Sequence, residues 1–244
     1  MASQLEETLS SIKSHAAVNN GFYDAWTAAP FAVEKLEVFA RNYLAWVEAF
    51  PSALAILVQS EEDVRAKTSH AKTLYSELGY GNADKAHSVL LKTFLHSLGH
   101  RMQVRGDLAQ SAPFDTLLPS TQALIDGEKW LYGHKHGACS AGAQLALEWQ
   151  AYTMLRRLYD GARNYMSLWS DEDEFHQDCE YFYVHIGSAE KDHKAESLLG
   201  TERYAADAES MRLLVTGFER HLSLIAGFWN GIHANGSCMA VARA

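Results

Sequence analysis

From residue 120 to its end, this 244-residue chain contains no proline. A proline inside a helix removes a hydrogen bond and clashes with the preceding turn, at a cost of about 3 kcal/mol. Half of the chain therefore carries no obligatory helix stop, and the four prolines lie at positions 30, 51, 113 and 119. Apolar residues recur three or four apart through the same stretches, as on one face of a helix. Leu5, Leu9, Ile12 and Ala16 make such a stripe over residues 3–18, and Leu36, Phe39, Ala40, Tyr43, Leu44 and Val47 make another over 32–50. Pro51 is expected to kink or restart that second helix, which continues to Gln59. Phe22 to Trp26 reads as a short aromatic turn.

Further helices are predicted over residues 61–78, 82–103, 120–132, 140–168, 174–199 and 202–232. Breaks are expected at Gly79–Gly81, across a loop at 106–119 and at residues 133–137. Asn82 and Ser120 offer side-chain oxygens for helix N-caps. No segment alternates as a strand would. The expected fold is all-α, a bundle of seven or eight helices in a single domain over 1–232, with a flexible tail at 233–244.

The formal charge of −9 argues against a nucleic-acid partner, which wants a basic surface. No run of 18 apolar residues occurs, so no membrane span is expected. The first residues lack the charged-then-apolar order of a signal peptide. Cys139, Cys179 and Cys238 stand far apart and write neither a disulfide framework nor a CxxC site, which suits a reducing cytoplasm. Twelve histidines and 30 carboxylates against three cysteines supply nitrogen and oxygen ligands rather than sulfur.

In helix bundles, metal sites are built from inward-facing Glu and His on facing helices. Glu77 and His87 in one straight helix would stand about 15 Å apart along the axis, but the Gly79/Gly81 break lets the chain bring them together. The alternative is a helix-ending acid and a core imidazole near Leu90 and Leu91. Glu148 sits among Leu145, Tyr152 and Gln144, where a carboxylate must be paired, protonated or metal-bound. Arg156 or Arg157 is its alternative partner. His185, Glu190, Asp192 and His193 share one aromatic-rich segment, with Glu190 and His193 at the i, i+3 spacing of di-iron carboxylate bundles. A solvated charged face is the alternative there.

Phe22-Tyr23 with Trp26, Tyr43 with Ala49-Phe50-Pro51, Glu77 with His87, and the closing His–carboxylate–His segment, in that order, resemble the haem-oxygenase-like di-iron oxidase and oxygenase family over most of residues 22–199. The resemblance implies a haem-oxygenase-like bundle holding two ferrous ions, with dioxygen as co-substrate. It implies Glu77, His87, Glu148, His185, Glu190 and His193 as the metal ligands, a donor set suited to iron. The family spaces its last three ligands as His, an acid four on, and a His three further. Here position 189 is Ala and the second His follows eight after the first, so one extra residue must be absorbed in 186–189. Glu190 is preferred, with Asp192 as its rival. Glu48 is a candidate extra ligand, and Tyr23 matches a tyrosine that one family member consumes chemically.

Members oxidise small amines, amino acids or fatty acids, by N-oxygenation, oxidative C–C cleavage, desaturation or nitrile formation. Tyr43, Trp46, Tyr152 and Phe182 are the expected substrate-binding residues, for an amino-acid-like small molecule, aromatic ones included. Neither nucleic acid nor membrane is an expected partner; the sequence leaves room for an external electron donor and for a homodimer. The competing readings are a metal-free enzyme of thiaminase or quinone-cofactor-synthesis type on the same scaffold, and a helical interaction module.

Overall fold

Short polar side chains and prolines set where the helices begin. The computed structural model describes residues 2–186, 197–198, 201 and 203–241. Its α-helices are α1 (Ala2–Ser11), α2 (Gly21–Ala28), α3 (Val33–Ser60), α4 (Val64–Glu77), α5 (His87–Arg101), α6 (Pro119–Tyr132), α7 (Gly137–Ala162), α8 (Glu172–Asp178), α9 (Glu180–Ile186) and α10 (Ala208–Val241). No strand occurs among the described residues. The fold is all-α, as the periodicity requires.

Asn20 accepts from the Tyr23 N–H at the start of α2, and Asp63 from Arg65 and Ala66 at the start of α4. Asn82 caps only a short 3-10 turn, Ala83–Lys85, and α5 begins later, at His87. Ser120 is not a cap: α6 starts one residue earlier with Pro119 in its first turn, where the missing N–H costs nothing. Pro51 does not restart the second helix. α3 runs through it over 28 residues, because apolar residues on both sides, Tyr43 and Leu44 before it and Leu54 and Leu57 after it, are clamped in the core.

The single helix expected over 174–199 is α8 and α9 instead, separated at Cys179. That thiol is fully buried and marks the break without any glycine or proline. The last helix continues past 232 to Val241.

α10 packs against α3, α6 and α7, and α6 against α3 and α7, with α2 laid across α7 and α10, and α4 and α5 against α3. The approach of α7 to α10 is set by glycine. A Cβ on Gly142 would collide with the Leu214 carbonyl, and one on Gly217 with the Cys139 carbonyl. Aromatic rings fill the centre: Phe22 stacks on Trp229 at 4.7 Å, and Tyr43 lies 5.6 Å from the same indole. Among the described residues α3 alone is long and apolar enough to cross a membrane, a test that core helices also pass, and its Leu36, Phe39, Leu44, Leu54 and Leu57 are buried inside the bundle.

Candidate metal centre

The break after α4 is the local device that builds the site. Gly79 and Gly81 take φ of +74° and +87°, and Tyr80 between them also enters the left-handed region at φ 55°. A Cβ on Gly79 would lie 2.5 Å from the Lys85 backbone, so only glycine lets the chain fold back here. The Tyr75 hydroxyl donates to the Tyr80 carbonyl at 2.6 Å and fastens the turn. The result places Nδ1 of His87, the first residue of α5, 2.8 Å from Oε2 of Glu77, the last residue of α4. Ten positions apart in sequence, the two side chains meet.

Glu77 faces a cavity of about 60 Å³, room for a few water-sized groups. Glu148 lines the same cavity from α7, with Trp46, Phe50, Met154, Leu155 and the Tyr43–Tyr181 pair around it. Glu148 is buried and accepts a 2.6 Å hydrogen bond from the Gln144 amide, one turn earlier. The arginines proposed as its alternative partners are engaged elsewhere: Arg156 with Asp160, and Arg157 with Asn19 and the Tyr23 ring. Burial raises the Tyr132 hydroxyl's pKa well above its ordinary value, and Glu128, Glu148 and Glu77 add to the rise in that order. The three carboxylates thus lie within electrostatic reach of the Tyr132 hydroxyl.

Glu77, His87 and Glu148 are oxygen and nitrogen donors, and no cysteine lines this cavity. The His185 side chain, Glu190, Asp192 and His193 lie outside the described residues. Among the described residues no group of three or more His, Cys, Asp or Glu side chains is arranged to hold a metal ion. The donor chemistry of the part described fits iron.

Of the expected substrate-binding residues, Tyr43 and Trp46 line the cavity and Tyr152 and Phe182 do not. On α7 the face of Glu148 continues through Ala151 and Leu155, three and seven residues on. Tyr152, one turn after Glu148, lies at the solvent edge of that face, 40% exposed and outside the cavity lining. On α9 the break at Cys179 brings Tyr181 to the wall, while Phe182 points away and meets Phe94 edge-on at 5.1 Å. The Tyr181 hydroxyl lies 2.7 Å from that of Tyr43. Burial, with Glu77 nearby, raises the Tyr43 pKa. Glu48 is turned away from the cavity, bound by Lys92 at 2.6 Å and Ser111 at 2.5 Å. Tyr23 is an aromatic core residue 5.0 Å from Trp229, behind the cavity wall.

A second acid–imidazole pair escaped the sequence reading. Nε2 of His221 on α10 lies 3.0 Å from Oε1 of Glu128 on α6, with side chains 0% and 1% exposed. The Trp46 indole N–H points at the same carboxylate, 3.3 and 3.4 Å from its two oxygens. The signal was present: Glu128 stands among Leu124, Ile125, Leu131 and Tyr132, and His221 among Phe218, Leu224 and Ile225, at helical spacing.

A family described as iron-containing redox enzymes matches residues 37–226. A 4-aminobenzoate synthase of Nitrosomonas europaea is 25% identical over 233 residues, covering 92% of this chain and 88% of that protein. Among solved structures, a CADD-like protein of unknown function from Nostoc punctiforme superposes with a TM-score of 0.76 at 13% identity, covering 96% of each chain. A domain of unknown function with a heme oxygenase-like fold, from Shewanella denitrificans, gives 0.71 at 15% identity over 98% of this chain and 95% of that one. A TenA homolog of Pseudomonas syringae pv. tomato gives 0.70 at 14% identity over 95% and 91%. The bundle is therefore haem-oxygenase-like.

Proposed function

The chain belongs to that iron-containing redox enzyme family, and from this premise we propose that it is a di-iron oxidase or oxygenase acting with dioxygen on a small amino-acid-like molecule, aromatic ones included. The observation that carries the reading is the meeting of Glu77 and His87 across the glycine break, beside a cavity that Glu148 also lines. We assign these three, with His185, Glu190 and His193, as the residues that hold the metal. When bound, two ferrous ions supply the redox chemistry towards dioxygen.

The chain's own part is to arrange and to exclude. Val47, Phe50, Leu147, Met154 and Leu155 give the cavity an apolar wall, which strengthens the electrostatic interactions inside it. Trp46 offers an aromatic surface and Tyr43 with Tyr181 a linked pair of hydroxyls, together suiting a molecule with one flat apolar end and one polar end. The name of the Nitrosomonas europaea relative adds 4-aminobenzoate to the products to be sought.

Anaerobic titration with ferrous iron tests the centre directly. About two ions per chain are expected in the wild type, with loss of at least one in Glu77→Gln and His87→Ala. No uptake, or equal uptake in all three proteins, removes the reading. Mass spectrometry of products from a panel of amino acids, with iron, oxygen and reductant, then identifies the substrate.

A further inference from the structure

The buried pair Glu128–His221 touches the cavity through Trp46. Nδ1 of His221 lies 2.6 Å from the Ala143 carbonyl, which can only accept, so Nδ1 carries a hydrogen. Nε2 then faces Oε1 of Glu128 at 3.0 Å, and two lone pairs cannot face each other at that distance. One proton lies between them, on either the imidazole or the carboxyl. The pair is neutral as a unit and has oxygen lone pairs left over. Among the described residues, the indole N–H of Trp46 is the further polar hydrogen that reaches them.

Trp46 is 4% exposed and presents its ring to the same cavity as Glu77 and Glu148. The cavity's phenols, Tyr43 and Tyr181, lie hydroxyl to hydroxyl at 2.7 Å, so the hydrogen between them points at a phenol, a weak proton acceptor. Losing an electron makes either ring strongly acidic, so the ring whose hydrogen points at a base is the easier to oxidise. Trp46 has the carboxylate.

We propose that Trp46 is a redox-active residue of this site, with Glu128 as the acceptor of its indole proton and His221 as the group that holds Glu128 in place. Trp46 gives one electron to a strong one-electron oxidant formed from dioxygen in the cavity, and its Nε1 proton passes to Glu128. The products are a neutral indolyl radical and a doubly protonated Glu128–His221 pair. An external one-electron donor returns the electron, and Glu128 returns the proton. The part played by dioxygen rests on the di-iron reading above; the pairing of Trp46 with its base does not.

The test therefore has two arms. In the iron-free protein, with the more exposed Trp130 and Trp149 both replaced by Phe, a photo-generated ruthenium polypyridyl oxidant delivers the hole, and transient absorption separates the neutral indolyl radical from its protonated cation. This background should give a neutral radical that falls at least tenfold when Trp46→Phe is added. In Glu128→Gln it should persist as the cation. Glutamine keeps both contacts, its amide oxygen accepting from Trp46 and its amide N–H donating to His221, but it cannot take the proton. A merely structural Glu128 would leave the protonation state unchanged. Equal radical yield in Trp46→Phe, or a neutral radical in Glu128→Gln, overturns the proposal.

In the second arm, iron-loaded protein carrying ring-deuterated tryptophan is mixed with oxygen, freeze-quenched and read by electron paramagnetic resonance. A radical whose hyperfine pattern narrows with the label, and which Trp46→Phe abolishes, supports the proposal. A tyrosyl radical alone, or no organic radical despite full iron uptake, overturns the role with dioxygen. Failure to take up iron removes the di-iron reading instead, and the first arm still decides the pairing of Trp46 with Glu128.

Discussion

Among the described residues, two glutamate–histidine pairs, Glu77–His87 and Glu128–His221, meet at almost the same separation, 2.8 and 3.0 Å. They are built in opposite ways. Glu77 and His87 end one helix and begin the next, so their meeting depends on backbone geometry at three left-handed residues. Their side chains keep 12% and 8% exposure, and the acid faces a cavity. Glu128 and His221 come from the interiors of two long helices, 93 positions apart, and are sealed. Their remaining atoms are taken by a backbone carbonyl and an indole. A pair at a helix break can open to admit a third party. A pair between helix interiors is a closed structural unit.

The largest effect should therefore come from opening the closed pair. His221→Ala strands the buried Glu128 without its partner, and such losses cost about 3 kcal/mol or more. In a chain of this size that lowers Tm by roughly 10 °C. Glu128→Gln should cost less than half as much, because the amide satisfies both neighbours. Thermal unfolding of both variants checks the ranking; similar losses would mean that charge, not hydrogen-bond matching, sets the stability of this pair. Next in size is the turn. Gly79→Ala forces a Cβ into a left-handed position against the Lys85 backbone, a strain of about 1–2 kcal/mol. It should also weaken ferrous-ion uptake although Glu77 and His87 are both present. Unchanged iron uptake in a strained but folded Gly79→Ala would show that the pair does not need the turn. Smaller still in stability are Glu77→Gln and His87→Ala, within about 1 kcal/mol by denaturant midpoint, despite their expected loss of iron.

The same contrast explains what was legible in the sequence. Glu77 and His87 were readable because a glycine break is a local signal and the two residues flank it. Helix content was readable from periodicity and from the missing prolines. The break at Cys179 was not, since no residue there forbids a helix; burial of the thiol and of Phe175 and Phe182 around it decides the geometry. Beyond that break, Tyr181 and not Phe182 stands on the cavity wall. Ser120 read as a cap by residue type, yet Pro119 beside it claims the first turn. Glu128 and His221 each carried apolar neighbours at helical spacing, but their partnership is tertiary. Nothing within either helix says which distant side chain it meets.

A third acid–imidazole contact tests the comparison at its mildest. His70 Nε2 lies 3.8 Å from Glu61, whose carboxylate is also gripped by Arg203 at 2.6 and 2.7 Å. The arginine takes the acid, so this imidazole gains little from its neighbour. Burial lowers the His70 pKa below the ordinary 6.5; Glu61 opposes the shift and Arg203 adds to it. Above pH 6.5 the imidazole is neutral in both folded and unfolded chains and contributes nothing to the pH dependence. As the pH falls below that value, the unfolded chain takes up a proton that the folded chain resists, and stability declines until the folded-state pKa is passed. One proton limits the slope to about 1.4 kcal/mol per pH unit. Urea midpoints followed from pH 7.5 to 5 should fall less steeply in His70→Gln than in the wild type, with the two curves converging towards neutral pH. Parallel curves would mean that His70 takes up its proton alike in the folded and unfolded chains; a wild type that gains on the variant as the pH falls towards 6.5 would mean that Glu61 holds the imidazole charged in spite of the arginine.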